Sequence, residues 1–375
     1  MICPSCRSHD IQTLPKVLDK SLRSDGATAN TPLRKWHCFC CGLGFGENVI
    51  PDSPYRRSDG QSIWQKQRHD KITLFLQEYL NRLPLPQNCR FLEIGGANFL
   101  TSINIAKAFP NWKVCSIEPN PECEPIEKPN NFSFEQVSVF EYVPQKKFDL
   151  IFSHNVIEHL KDTRGFLNIQ SNLLSDDGVI VISCPDSGIV SEELLFDDHL
   201  YHFTKESVEK ICSEIGLIVA QSIPSKLDEN TIVFFLKKNS RNAKQRINKK
   251  TAYNKLYERR KNYFISWKNE DLKISNYFSG TTPLIFGTGE FAQLALAYFP
   301  RGLANASEIC TSNLEGARVF PGFAVRLIGN SDRLSNKIFL AANPKTKFHA
   351  LDYLLGRGFF EGSIYIPFLT KQNSA

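Results

Sequence analysis

From residue 90 to residue 183 the chain alternates between short apolar runs and longer stretches whose apolar positions recur three or four apart. Phe91-Leu-Glu-Ile94, Val114-Cys-Ser-Ile117, Phe148-Asp-Leu-Ile-Phe152 and Val179-Ile-Val-Ile182 have the length of buried strands, and a weaker run, Phe132 to Val137, is the third of five. Leu100 to Phe109 and Phe166 to Leu174 read as helices between them. Such alternation predicts a parallel sheet with helices on both faces. Ser62 to Asn81 predicts a helix ahead of this block and Thr204 to Ile215 one after it; Leu217 to Ser222 and Thr231 to Lys237 are close enough to pair as a hairpin.

A second, smaller α/β pattern begins near residue 282. Pro283-Leu-Ile-Phe286 is followed by Gly287-Thr-Gly289-Glu-Phe-Ala292 and a helix-like run to Phe299, then by Lys337-Ile-Phe-Leu340 and Tyr353 to Ile366. Strand, glycine turn and helix in that order predict a Rossmann-like unit. The next strand, Glu308 to Asn313, ends without the acid that would hold a ribose, so the expected role is structural or substrate-holding rather than binding of a nicotinamide cofactor.

Ahead of both lies a block without either periodicity, from Met1 to about residue 55, carrying Cys3-Pro-Ser-Cys6 and Cys38-Phe-Cys40-Cys41-Gly42. Each C-x2-C pair can form a knuckle that aims two thiolates at one ion, so Cys3, Cys6, Cys38 and Cys41 predict a four-thiolate structural Zn2+ site in a zinc ribbon. Leu22 to Pro32 reads as a polar loop between the knuckles, and Cys40 and His37 are alternatives for the fourth ligand.

These patterns divide the 375 residues into a zinc ribbon (1–55), a central domain (62–237), a basic helical linker (238–280) and a C-terminal domain (281–375). Apolar residues at 42% and charged residues at 22% are ordinary globular values, which excludes a disordered or fibrous chain. No apolar run is long enough to cross a bilayer, and the cysteine motif at Cys3 leaves no room for a signal peptide; the expected compartment is the cytoplasm, with reduced thiols. The net charge of +6 is local: eleven Lys or Arg residues stand between Lys237 and Lys261 against the single acid Glu258. That stretch has two readings, a nucleic-acid surface or a solvated connecting helix, and the scarcity of interleaved aromatics favours the helix.

Chemistry is written in the central block. Phe91-Leu-Glu93-Ile-Gly95-Gly96-Ala97-Asn-Phe99, then Ile117-Glu118-Pro-Asn, then Phe148-Asp-Leu-Ile-Phe-Ser-His154-Asn155-Val-Ile-Glu158-His159 follow one another along the predicted strands. A glycine turn at a strand end lets a ligand approach the backbone, and an acid ending the next strand can accept both hydroxyls of a ribose. In this order the motifs resemble the class I S-adenosylmethionine-dependent methyltransferases, over residues 90 to 237. The resemblance implies a Rossmann-like methyltransferase sheet in which Glu93, Gly95, Gly96, Ala97, His154 and Asn155 surround the methionine part of S-adenosylmethionine and Glu118 its ribose. The family's acid-x-Gly-x-Gly-x-Gly pattern has Ala97 and Phe99 in its second and third glycine positions here, and Phe99 is expected to pack on the cofactor or narrow its site.

Methyl transfer to an acceptor that is not already anionic also requires removal of a proton, a task suited to histidine. His159, and His199, Tyr201 and His202 in Phe196-Asp-Asp-His-Leu-Tyr-His-Phe-Thr204, are the candidate catalytic residues; the latter segment follows the fifth strand and its Cys184-Pro-Asp186 end. The order of ribbon, methyltransferase domain, basic helix and small Rossmann-like domain resembles the deoxysugar C-methyltransferases, whose outer units enclose a sugar nucleotide. Their downstream His-Gly-Gly-Ser stretch is replaced by Ser225-Lys-Leu-Asp-Glu-Asn230, which leaves the methylated atom open. The expectation is an enzyme acting on a small, anionic or nucleotide-linked acceptor. The alternatives are a zinc-ribbon RNA-binding protein or RNA methyltransferase that uses the basic linker, and a non-catalytic scaffold with a degenerate cofactor loop.

Overall fold

The computed structural model describes residues 1–17, 19–47, 63–224, 230–239, 250–315, 317–318, 320–335, 337–343 and 346–368. The ribbon boundary at residue 55, residues 225–229 of the replaced motif and the basic residues of 240–249 lie outside them.

The N-terminal unit contains β1 (Ile11–Thr13), the hairpin β2 (Ser21–Leu22) and β3 (Thr28–Ala29), β4 (Lys35–Cys38) and β5 (Gly44–Gly46). The span expected as a polar loop proves to be buried at its start, with Leu22 at 1% and Ser24 at 7% exposure. Leu22 forms a parallel β-bridge with Phe196 and shares a buried apolar cluster with it, which ties this polar-looking stretch to a distant segment.

After α1 (Ile63–Leu80) come β6 (Arg90–Ile94), α2 (Leu100–Ala108), β7 (Lys113–Ile117), β8 (Phe132–Glu135), β9 (Phe148–His154), α3 (Thr163–Leu173) and β10 (Leu174–Pro185). Next are β11 (Tyr201–His202), α4 (Lys205–Glu214), β12 (Leu217–Pro224) and β13 (Thr231–Lys238). Seven strands form one sheet in the order β12-β13-β10-β9-β6-β7-β8. β6 to β10 are mutually parallel, and β13 pairs antiparallel with both β10 and β12, as the expected terminal hairpin. The chain leaves β6 in one direction through β7 and β8, then returns to place β9 on its other side. The crevice of a doubly wound sheet forms at this reversal, outside the C-terminal ends of β6 and β9.

β11 joins the other sheet instead. It pairs with β5, completing the order β1-β4-β5-β11, so the segment after the fifth central strand is sewn into the N-terminal unit.

α5 (Lys250–Tyr277) departs from the expected solvated connection. Tyr253, Leu256, Tyr257, Arg260, Phe264, Trp267, Asp271 and Ile274 are all buried, at intervals of three and four that line one face of a helix. Its charge density concealed that stripe.

The C-terminal domain has β14 (Pro283–Phe286), α6 (Glu290–Tyr298), β15 (Glu308–Thr311), β16 (Ala324–Leu327), α7 (Asp332–Ser335), β17 (Lys337–Leu340), α8 (Lys347–Gly356) and β18 (Ile364–Tyr365). Its five strands are all parallel, in the order β16-β15-β14-β17-β18. Among the described residues no helix is long and apolar enough to cross a membrane.

Candidate functional site

The glycine turn stands where β6 ends. Gly95 and Gly96 both donate their N–H to the Ile117 carbonyl at the end of β7, at 2.9 and 3.3 Å. Gly95 has φ +78°, and a Cβ there would lie 2.5 Å from Val156 Cγ2, so neither the backbone nor the space admits a side chain. Ala97 and Phe99 adopt positive φ as well, at +47° and +62°.

Phe99 does not line the crevice as expected. It is fully buried, its ring 5.1 Å from that of Phe134 and 6.3 Å from that of Phe132, because the left-handed backbone at the start of α2 turns it under the sheet edge. The same ring lies against the glycine turn, where a Cβ on Gly96 would meet Phe99 Cδ1 at 2.9 Å.

Glu118 is bound to the turn: Oε2 accepts from Ala97 N–H at 2.9 Å and Oε1 from Asn120 N–H at 3.0 Å. Burial raises its carboxyl above the usual range, opposed by these two donors. An ionised carboxylate has about four acceptor sites, so both oxygens retain capacity for hydroxyl donors. Glu93 is more deeply set. Its Oε2 accepts from Ser102 N–H (3.2 Å), Ser102 Oγ (2.5 Å) and Ser116 Oγ (3.4 Å), tying β6 to the first turn of α2, and burial pushes it up to about 7. His154 ends β9, and Asn155 follows with φ +52° and its N–H on the Ser183 carbonyl at 2.8 Å. Asn155 Oδ1 is buried with no hydrogen-bond partner among the described residues.

Beside this edge the structure brings His159 and His199 together, ring centroids 4.7 Å apart and nearly perpendicular. His159 Nδ1 lies 3.0 Å from the Asp198 carbonyl oxygen. A carbonyl only accepts, so Nδ1 carries the hydrogen and the basic ring atom is Nε2. His199 Nδ1 lies 2.9 Å from Glu193 Oε2. Burial pulls the His199 imidazole down, but the carboxylate of Glu193, with Asp198 and Glu158 behind it, outweighs that and pushes it up to about 9. His199 is held as a hydrogen-bond donor at neutral pH.

Asp198 stands between them. Ser24, from the N-terminal hairpin, donates its N–H to Oδ1 at 2.8 Å and its Oγ–H to Oδ2 at 2.7 Å. Burial would raise this carboxyl, but His199, His159 and Ser24 hold it below the usual range. Lys35, 2% exposed, donates from Nζ to the Phe196 and His199 carbonyls at 2.8 and 2.6 Å. The side chains of His159, Asp198 and His199 offer ligand atoms within 4.8 Å of one another.

The other two histidine-segment candidates have different surroundings. Tyr201 donates its hydroxyl to the Lys161 carbonyl at 2.9 Å. His202 lies in β11 opposite Gly44, and burial followed by Lys35, His199 and Arg260 pushes it well below its usual range. Glu193, Asp198, Ser24 and Lys35 were not singled out from the sequence. Asp198 was signalled by its position beside His199, whereas Ser24 and Lys35 carry no local pattern.

The four expected cysteines converge. Cys3 and Cys41 Sγ are 3.6 Å apart, Cys6 and Cys38 Sγ 3.5 Å, and all four lie within 4.8 Å of one another. Cys40 is exposed, and His37 directs Nδ1 to Arg260 rather than to the sulfurs.

Residues 64–222 match a protein family described as "Methyltransferase domain". Methyltransferase str3 of Strobilurus tenacellus is 31% identical over 113 residues, 29% of this chain and 40% of that protein. Malonyl-acyl-carrier-protein O-methyltransferase 2 of Ilyobacter polytropus is 25% identical over 130 residues, 33% of this chain and 48% of that protein. The chain thus spans less than half the length of these curated relatives. Among solved structures, the 1,6-didemethyltoxoflavin-N1-methyltransferase of Burkholderia thailandensis is 14% identical, with a TM-score of 0.40 over 53% of this chain and 96% of its own. The family match falls on residues 64–222, the segment that carries the glycine turn, Glu118 and the paired histidines, and leaves the cysteine unit and the C-terminal sheet outside it.

Proposed function

We propose that the protein transfers a methyl group from S-adenosylmethionine to a small acceptor held between its units. The observation that carries this reading is the bond between Ala97 N–H and Glu118, which joins the glycine turn to the acidic strand end within the matched segment. The residues present fit the cofactor: Glu118 offers acceptors at the glycine turn, and Asn155 Oδ1 is a buried acceptor without a partner among the described residues. Gly95, Gly96, Ala97, His154 and Asn155, with Glu93 at their base, would hold the methionine part, and Glu118 the ribose. When bound, S-adenosylmethionine supplies an electrophilic methyl group.

His159 Nε2 takes the acceptor's proton, while the His199 imidazolium donates to an acceptor oxygen and stabilises charge that develops there. Glu193 and Asp198 orient the two rings. Ser24 from the N-terminal unit binds Asp198, and Tyr298 donates its hydroxyl to the Leu195 carbonyl at 2.7 Å, so both outer units contact the histidine segment. These contacts support a small acceptor, a nucleotide-linked sugar or another natural-product precursor.

The four thiols fit a structural zinc ion. Tetrahedral sulfurs about 2.3 Å from a metal lie about 3.8 Å apart, close to the spacings here. Four protein ligands leave no position for water, so the ion would hold the knuckles and take no part in methyl transfer.

The test is calorimetric titration with S-adenosylmethionine and S-adenosylhomocysteine beside Glu118→Ala. Loss of charge-assisted hydrogen bonds worth about 1.5–3 kcal/mol should weaken binding roughly 10- to 150-fold. Unchanged affinity in the variant would overturn the assignment of the crevice.

A further inference from the structure

Arg260 is the most deeply buried charge on α5, with no measurable exposure. One terminal nitrogen donates to His37 Nδ1 at 2.7 Å and to the Gly42 carbonyl at 2.9 Å; the other donates to Ser187 Oγ at 2.6 Å and to the Ser187 carbonyl at 3.1 Å. Nε is buried without a hydrogen-bond partner, and no carboxylate stands at ion-pairing distance among the described residues. Every acceptor it has is neutral. A buried cation without a counter-charge costs several kcal/mol, so a negative charge of another kind is required nearby.

The neighbouring knuckle supplies one. Gly42 directly follows Cys41, and His37 directly precedes Cys38. Arg260 Nη1 thus reaches the immediate chain neighbours of two of the four cysteines, the Gly42 carbonyl at 2.9 Å and His37 Nδ1 at 2.7 Å. Gly42 has φ +74°, and a Cβ there would meet Tyr253 of α5 at 2.5 Å, so the knuckle and the helix fit only with glycine between them. Four thiolates around a divalent ion carry a net charge of about −2, spread over their sulfurs. On the other side, Ser187 begins the segment that leads from β10 to His199, and its N–H is held by the Phe203 carbonyl at 3.1 Å.

We propose that Arg260 is the counter-charge of the metal-thiolate centre and that, through Ser187, it couples occupancy of that centre to the position of the histidine segment. The proposal rests on the reading of Cys3, Cys6, Cys38 and Cys41 as a metal site. Coupling between two sites is reciprocal: Arg260 strengthens metal binding, and the bound metal orders residues 187–199. A methyltransferase domain would in this way sense whether its N-terminal unit is loaded.

The experiment measures zinc content and zinc affinity by chelator competition in the full-length protein, Arg260→Met and Arg260→Lys, with hydrogen exchange of residues 187–199 as a second readout. The expected results are one zinc per wild-type chain, a 10- to 100-fold weaker affinity in Arg260→Met, and an intermediate value in Arg260→Lys, which keeps the charge. Exchange over 187–199 should accelerate on metal removal from the wild type. Zinc held by Arg260→Met within twofold of wild type would overturn the counter-charge role, as would equal losses in the Met and Lys variants. A wild-type chain that binds no zinc overturns the four-thiolate reading and this proposal with it. Because Arg260→Lys retains a cation in the same space, it keeps the test decisive if the Met variant does not fold.

Discussion

Glu193 Oε2 and His199 Nδ1 lie 2.9 Å apart, a carboxylate against a buried imidazole. Asp198 and Glu158 add negative charge around the ring, Lys35 Nζ binds the His199 backbone carbonyl at 2.6 Å, and His159 faces the ring edge-on. Glu193→Gln keeps an oxygen near the ring but removes the charge. The expected outcome is a fall of the His199 titration midpoint from near 9 by more than about one unit, read by histidine NMR, with the alkaline limb of the pH-rate profile moving the same way. A profile that does not move would remove His199 from the donor role.

The same pair shapes stability. His199 titrates higher in the folded protein than the ordinary histidine value, so its contribution is fully present below about pH 6.5 and is lost as pH rises through about 9. Urea midpoints should decline across that window in the wild type, and the decline should flatten in Glu193→Gln. A slope shared by both proteins would assign the pH dependence to other groups.

Phe99→Ala separates core from crevice. The ring is fully buried against Phe132 and Phe134, so its loss should cost about 3–5 kcal/mol of folding stability. S-adenosylmethionine affinity should stay within about threefold, measured below the lowered unfolding midpoint. Ten-fold weaker binding by a folded variant would show that the ring touches the ligand.

Lys35→Met replaces a buried ammonium by an apolar chain of similar length and leaves the Phe196 and His199 carbonyls without their donor. Each unpaired carbonyl costs about 1–3 kcal/mol. Hydrogen exchange should quicken over residues 196–200 and methyl transfer should fall, with the central sheet protected as before. Uniform acceleration across the chain would mean that Lys35 supports the whole fold rather than this segment.

The central strands were legible because each is a short buried run between helices of regular period: Phe91–Ile94, Val114–Ile117 and Val179–Ile182 all fall inside β6, β7 and β10. The four cysteines were legible from spacing, since a knuckle is a local structure. The burial of Leu22 and Ser24 was not, because their partners Phe196 and Asp198 are more than 170 residues away. α5 misled by charge. Its apolar stripe was present at helical intervals, but the cations between Lys237 and Lys261 drew attention to the face that stays in water. Phe99 was placed at the correct turn, yet its direction depended on a left-handed backbone that no motif specifies. Local periodicity reads elements; contacts between distant segments decide which side chains share a site.

The strand β11 has a consequence for how the molecule is made. Its partner β5 is synthesised more than 150 residues earlier, and the helix whose Arg260 fastens His37 follows 223 residues after that histidine. During translation, then, the N-terminal unit leaves the ribosome with an open sheet edge, and β11 emerges to cover it before the last two strands of the central sheet, β12 and β13, are made. The histidine segment gains its last fastening, Tyr298 on Leu195, only when α6 has emerged. A nascent chain halted at the end of β13 would carry a finished central sheet but a histidine segment still lacking the fastening that α6 brings.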